Sequence, residues 1–203
     1  MTIAISLKVN DGLVLASDSA STIYDPTGQV VKVYNSANKI FNLRKGLPIG
    51  AITWGAGSIG PAAISTLAKD LRLRFAGTDP AHTDWKVDAE KYTIAEVANR
   101  VREFMYDELY VPIFANQEKK PYLGFVVSGY SAGAAMAEEY EITITNGVCD
   151  PPKLLRDKAA CGVGWRGQPE AVRRLLLGYI KSSLQSWKPV SGCRRLRLQT
   201  RCA

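Results

Sequence analysis

Residues 2–22 read TIAISLKVNDGLVLASDSAST, and their alternation decides how the fold opens. Ile3, Ile5, Leu7 and Val9 alternate with Ala4, Ser6 and Lys8, the period-two pattern of a strand with one buried face. Asn10-Asp11-Gly12 is a hairpin signal, because glycine takes the positive φ that tight turns demand. Residues 13–18 are the returning strand, and the hairpin brings Asp18 back toward Thr2.

Working outward, the Asp25-Pro26-Thr27-Gly28 turn is followed by short strand signals over 30–34 and 39–43. Residues 48–54 (PIGAITW) are an apolar run that ends in Gly55-Ala56-Gly57, the pattern of a strand buried on both faces. The period then changes. Ala62, Ala63, Ile64, Leu67, Ala68 and Leu71 recur at helical spacing, and Pro61 suits a first helical position. Thr93 with Glu96 forms a capping box for a second helix, whose apolar face is Ile94, Val97, Ala98, Val101, Phe104 and Met105. Strand signals return over 122–128 and 140–145. A Pro-Pro break and a glycine-rich turn, CGVGWRG, then lead to Pro169 and a last amphipathic helix with Ala171, Val172, Leu175 and Leu176. Two blocks of strands with helices outside them predict a layered α/β/β/α domain.

The composition is that of an ordinary globular chain, and it excludes several classes. The 26 basic residues exceed the 19 acidic ones, but the excess sits in residues 181–203. That segment holds Lys181, Lys188, Arg194, Arg195, Arg197 and Arg201 and no acid, so residues 1–180 carry 20 basic against 19 acidic side chains. A nearly neutral body argues against a nucleic-acid-binding domain. Cys149, Cys161, Cys193 and Cys202 show no CxxC spacing, and His82 is the only histidine, which removes the usual structural zinc sites. No metal or other cofactor is implied. In its PAHTDW loop His82 reads as a surface residue. The longest uncharged run, 46–68, is broken by Pro48, Pro61 and five glycines, so it does not read as a membrane span. With no basic n-region ahead of the first strand, the expectation is a cytoplasmic protein with reduced thiols and no membrane partner.

The chemistry concentrates at the amino end. Methionine is removed ahead of a residue as small as threonine, and an N-terminal Thr2 would carry a hydroxyl nucleophile beside a free α-amino group. That amine has a pKa of about 7.7–8.0, so it can serve as base near neutrality without a histidine. Asp18, carried back by the hairpin, can hold a lysine ammonium beside the hydroxyl, and Lys39 in ANKIF is the candidate. A cation there lowers the hydroxyl pKa and favours the charge that develops during attack. Gly55 lets the main chain approach closely, so its N–H is a candidate oxyanion donor. Each residue also has a plainer reading: Asp18 as a turn cap, Lys39 as a solvated edge charge, Gly55 as the end of a strand.

Taken together, MTIAISLKVNDGLVLASDSAST, ANKIF and ITWGAGSIG resemble the start of proteasome β-type subunits and their bacterial relatives. The family pattern places an Asp sixteen residues after an N-terminal Thr, a Lys before a hydrophobic pair, and a Gly closing the next strand. Thr2 and Asp18, Lys39 with Ile40-Phe41, and Gly55 after Ile52-Thr53-Trp54 occupy those places. The resemblance implies an N-terminal-nucleophile hydrolase with an α+β, four-layer αββα sandwich over residues 1–180. It also implies a threonine-type endopeptidase with Thr2 as nucleophile, Asp18 and Lys39 as polar partners and Gly55 as oxyanion donor. Thr22 would align the substrate as an added strand, and Ser21, Thr53 and Gly57 would line the specificity pocket. The implied setting is a self-compartmentalising homo-oligomeric ring or spiral that degrades peptides or unfolded proteins, with an ATP-dependent unfoldase as a further partner.

The chain departs from the family at two places. The family has a serine inside the glycine-rich turn that supports the threonine amine, and the corresponding position here is Val163. The family's downstream Asp and Ser have no counterpart after Tyr179. The Arg- and Cys-rich segment 181–203 has three readings: a diverged family tail, a basic interaction arm, or an out-of-frame stretch. These departures leave two alternatives to the peptidase, a non-catalytic subunit of such an assembly and an amidase of small substrates.

Overall fold

The computed structural model describes residues 2–168 apart from Pro26 and Asp157, together with Glu170, Val172 and Arg174. The expected last helix otherwise lies outside the described residues, as does the segment 181–203. Strands β1 (Ile3–Val9) and β2 (Gly12–Ser17) form the expected hairpin around Asn10-Asp11, followed by β3 (Ser21–Tyr24), β4 (Val30–Tyr34), β5 (Ile40–Asn42) and β6 (Ile49–Gly55). Two-residue strands β7 (Ser58–Ile59) and β8 (Ala62–Ala63) precede helix α1 (Ile64–Ala76). A 3-10 segment (Pro80–Trp85) leads to α2 (Ile94–Arg102), which continues as a π-helical stretch (Glu103–Tyr110) into α3 (Val111–Phe114). The rest is β9 (Leu123–Gly129), β10 (Glu138–Thr145), β11 (Val148–Cys149), β12 (Lys153–Leu154) and β13 (Gly162–Gly167).

The strands form separate antiparallel sheets. The largest runs β11-β10-β9-β6-β5 with β12 also on β10, a second runs β13-β1-β2, and β3-β4 and β7-β8 are two-stranded. One face of the large sheet, through Phe41, Ile49, Ala51, Phe125, Val127, Ile142 and Ile144, packs on Leu67, Leu71 and Phe75 of α1 and on Ile94, Val97 and Val101 of α2. The other face, through Ile40, Ile52, Trp54 and Val126, meets Ala4 and Leu15 of the three-stranded sheet. Burying one such aliphatic or aromatic side chain contributes about 1.5–3 kcal/mol. The 48–54 run is therefore a strand covered on both faces, as its unbroken apolar pattern predicts.

This arrangement overturns the four-layer αββα sandwich. The described residues are dominated by several small antiparallel sheets; α1 and α2 pack on one face of the large sheet, and the other face meets the three-stranded sheet. Three local expectations change with it. The CGVGWRG segment is not a turn but strand β13, paired along β1 from Ile3↔Gly167 to Lys8↔Gly162. Pro61 does not open a helix, because Ala62 and Ala63 pair with Ile59 and Ser58, and α1 begins only at Ile64.

The third concerns β1, whose faces are inverted. Ala4, Ser6 and Lys8 point inward and are buried, whereas Leu7 and Val9 on the Ile3–Val9 face are exposed. The gap opposite Ile52, Trp54 and Val126 is already filled by large side chains and admits small ones from β1. Lys8, buried on the same face of β1, donates to the Lys158 carbonyl at 2.7 Å.

The capping box behaves as the sequence predicts: Thr93 Oγ1 accepts from Glu96 N–H, and the Glu96 carboxylate accepts from Thr93 N–H at 3.0 Å. The contact between β9 and β6 is tighter. A Cβ on Gly124 would stand 2.3 Å from the Trp54 ring, whereas one on Gly12 would meet nothing within 4 Å. Gly124→Ala should therefore lower unfolding free energy in urea by about 1–3 kcal/mol, and Gly12→Ala should stay within about 0.5 kcal/mol of the parent.

Candidate active site

The β1-β2 hairpin brings Asp18 to the first residues of β1. Asp18 N–H donates to the Ile3 carbonyl at 3.2 Å, and Ile3 N–H donates to Asp18 Oδ1 at 2.8 Å. The same Oδ1 accepts from Lys39 Nζ at 3.0 Å, while Oδ2 accepts from Ala20 N–H at 3.2 Å. Lys39 also donates to the Ala20 carbonyl. The ammonium is thus two hydrogen-bond lengths from the peptide nitrogen that joins Thr2 to Ile3. The Lys39 carbonyl accepts from Thr53 N–H at 3.0 Å, which ties this residue to β6 just before β5 starts.

The Lys39 side chain is 9% exposed and that of Asp18 27%, so the pair is sheltered without being sealed from water. Burial opposes ionisation of Asp18. The Ile3 N–H, the Lys39 ammonium and the Ala20 N–H together outweigh it and hold the carboxyl below its ordinary range.

Thr2 is held from the other side by β13. Its carbonyl accepts from Gln168 N–H at 2.8 Å. Gly167, opposite Ile3, has φ +81°, and a Cβ there would come 1.9 Å from the Thr2 carbonyl oxygen, so glycine is required. The residues next to Thr2 are therefore Gly167 and Gln168, whereas Val163, the position compared with the family's serine, pairs with Leu7 further along β1. Reading CGVGWRG as a turn hid this. Val163 and Trp165 alternating with Gly162 and Gly164 are the strand signal it contained.

Gly55 closes β6 with φ +92°, and a Cβ on it would stand 2.4 Å from the Tyr122 carbonyl. The next N–H, from Ala56, donates to that same carbonyl at 2.9 Å. Amide directions alternate along a strand. Thr53 N–H points to Lys39, so the alternation directs Gly55 N–H to that side of β6 as well. Tyr122 is a framing residue that sequence reasoning missed, and its hydroxyl also accepts from Trp54 Nε1 at 2.9 Å.

The residues expected to bind substrate divide. Ser21 and Thr22 lie on β3, opposite Tyr34 and Val33 of β4. Ser21 Oγ is 4.0 Å from the place a Gly57 Cβ would occupy, so these two residues come together across a short gap. Thr53 does not join them: it is buried, and its hydroxyl donates to the Gly124 carbonyl at 3.0 Å, fastening β6 to β9. His82 is half-buried on the 3-10 segment, its Nδ1 2.8 Å from Asp79 Oδ2 and its ring edge-on to Trp85. Burial pushes the Cys149 thiol up to about 11, which leaves it a poor nucleophile at neutral pH. No helix among the described residues is long and apolar enough to cross a membrane.

The chain matches no protein-family model and no curated protein sequence.

Because the Asp18 carboxyl is held below its unfolded value, the stability it contributes is complete above that value, about pH 3.9, and is lost as the pH falls through the folded one. Asp18→Asn should cost roughly 1–3 kcal/mol at pH 7 in urea unfolding. The gap between variant and parent should narrow on acidification below pH 3.9.

Proposed function

We propose that this chain is a threonine-type endopeptidase, with Thr2 as nucleophile once Met1 has been removed. The observation that carries the reading is the single Asp18 oxygen that accepts from both Ile3 N–H and the Lys39 ammonium. It fixes a positive charge beside the residue that would bear the hydroxyl. The order of Thr2, Asp18, Lys39 and Gly55, which resembles that of proteasome β-type subunits, supports it independently.

In the proposed reaction the Thr2 α-amino group takes the hydroxyl proton, and Oγ1 attacks the substrate carbonyl carbon. Lys39 favours the alkoxide that develops, and Gly55 N–H donates to the oxyanion. The C–N bond breaks as the amine returns the proton to the leaving nitrogen, which leaves an ester on Thr2. A water deprotonated by the same amine then hydrolyses the ester and restores the hydroxyl. The substrate would lie extended between β3 at Thr22 and the Gly55–Gly57 segment, with a side chain entering beside Ser21 and Gly57.

The substrates on this reading are peptides and unfolded proteins, handled in the cytoplasm by a homo-oligomeric ring or spiral served by an ATP-dependent unfoldase. Exposed apolar residues support assembly: Val30, Val31 and Val33 on β4, and Leu7, Val9, Val14 and Val163 on the outer face of the three-stranded sheet.

Thr2→Ala should abolish turnover of fluorogenic peptides while circular dichroism stays unchanged. Thr2→Ser should retain part of it, and Lys39→Ala should lower kcat by roughly 10²–10³. Full turnover by Thr2→Ala, or a mature protein that still begins with Met1, would overturn the peptidase reading. The second outcome would favour the non-catalytic subunit.

A further inference from the structure

A second site lies between β5 and α1. A hollow of about 70 Å³ there is lined by Asn38, just ahead of β5, by Ile40 and Asn42 on that strand, and by Ser65, Lys69 and Arg72 of α1. The last three recur at i, i+4 and i+7, so they share one face of the helix. Among the described residues no carboxylate lines the hollow, and neither Thr2, Asp18, Lys39 nor Gly55 does.

Arg72 is the telling residue. It is half-buried, and among the described residues its guanidinium has neither a hydrogen bond nor an ion pair. By contrast, Arg44, Arg74, Arg100, Arg102, Arg156 and Arg166 each donate to a carbonyl or carboxylate oxygen. A guanidinium carries five donors and keeps its charge, so drawing one into a crevice without an acceptor is costly. Its neighbours leave the same want. Among the described residues Lys69 has no ion pair, Ser65 and Asn38 have no side-chain hydrogen bond, and Asn42 keeps only a 3.5 Å contact with the Leu47 carbonyl. Two cations, a hydroxyl and two amides therefore line one small space that holds no acid.

We propose that this hollow binds a phosphate group, either as the free ion or at the end of a phosphomonoester. Two positive charges with no acid among them match a dianion better than the single charge of a carboxylate. The Arg72 fork suits a pair of phosphate oxygens, Lys69 adds a compact point charge, and Ser65 and Asn38 can donate to the remaining oxygens. The volume fixes the size of what enters. Pockets that enclose a whole organic ligand run to about 300–1,000 Å³, so a hollow of about 70 Å³ takes the anionic group and leaves anything attached to it outside.

The test titrates sodium phosphate, phenyl phosphate and sodium acetate separately into the full-length protein at about pH 8, where the phosphate group is dianionic. Ionic strength is held constant, and backbone amides are followed by NMR. Phosphate should give saturable shifts at Asn42, Ser65, Lys69 and Arg72, and acetate should give none at the same concentrations. Phenyl phosphate binding as tightly as phosphate supports a phosphorylated molecule as the ligand, and phosphate binding alone supports the free ion. Arg72→Ala, which removes a group without a partner, should weaken phosphate binding about tenfold to a hundredfold, and Lys69→Ala about tenfold. Lys153→Ala, which removes the same charge from β12, should bind as the parent does. The proposal is overturned if phosphate gives no saturable shift, if acetate binds alike, or if Arg72→Ala and Lys69→Ala lose no more than Lys153→Ala.

Discussion

The contact on which the candidate site depends is the one made by the Asp18 carboxylate. One of its oxygens accepts from the backbone of Ile3 and from the side chain of Lys39, and the other from the backbone of Ala20. Three segments distant in sequence are gathered by one charged group: the start of β1, the stretch after β2, and the residue ahead of β5. Charge-assisted hydrogen bonds of this sort outweigh the desolvation they entail only when several donors converge. The depressed acidity of Asp18 is consistent with that balance. Without the carboxylate, the sheltered Lys39 ammonium would lose the counter-charge it has at 3.0 Å.

Around that contact the backbone is held by positions that tolerate no side chain. Gly167 admits the Thr2 carbonyl, Gly55 admits the Tyr122 carbonyl, and Gly124 admits the Trp54 ring. The first two bring main chain against main chain near Thr2 and Gly55, and the third seats a ring between β6 and β9. The inverted β1 belongs to the same frame: Ala4 is small enough to let the three-stranded sheet settle on Ile52 and Trp54.

Much of the local structure was legible in the residues. The hairpin at Asn10-Asp11, the Thr93–Glu96 capping box and the doubly buried 48–54 run appear where short-range chemistry puts them, although Gly12 opens β2 without the positive φ its turn signal implied. The pairing of Asp18 with Lys39 was also legible, because a hairpin of known turn places its two ends together and leaves a carboxylate in want of a cation. What misled was equally local. Pro61 and the alanines after it look like a helix start, yet Ala62 and Ala63 are taken into a short ladder with Ser58 and Ile59. Glycines in CGVGWRG look like a turn until a partner strand supplies hydrogen bonds.

By itself, then, the sequence determined the hairpin, the capping box of α2, the buried strand and the carboxylate–ammonium pair, all of which depend on neighbours a few residues apart or on complementary charge. Only the tertiary structure decided which face of β1 points inward, that β13 completes its sheet, that the Thr53 hydroxyl fastens β6 to β9, and that α1 and α2 lie on one face of the large sheet. These depend on the space left between packed layers and on which strand edge is free to pair. Such quantities exist only once distant segments have come together, and period-two alternation is the same whichever face is buried.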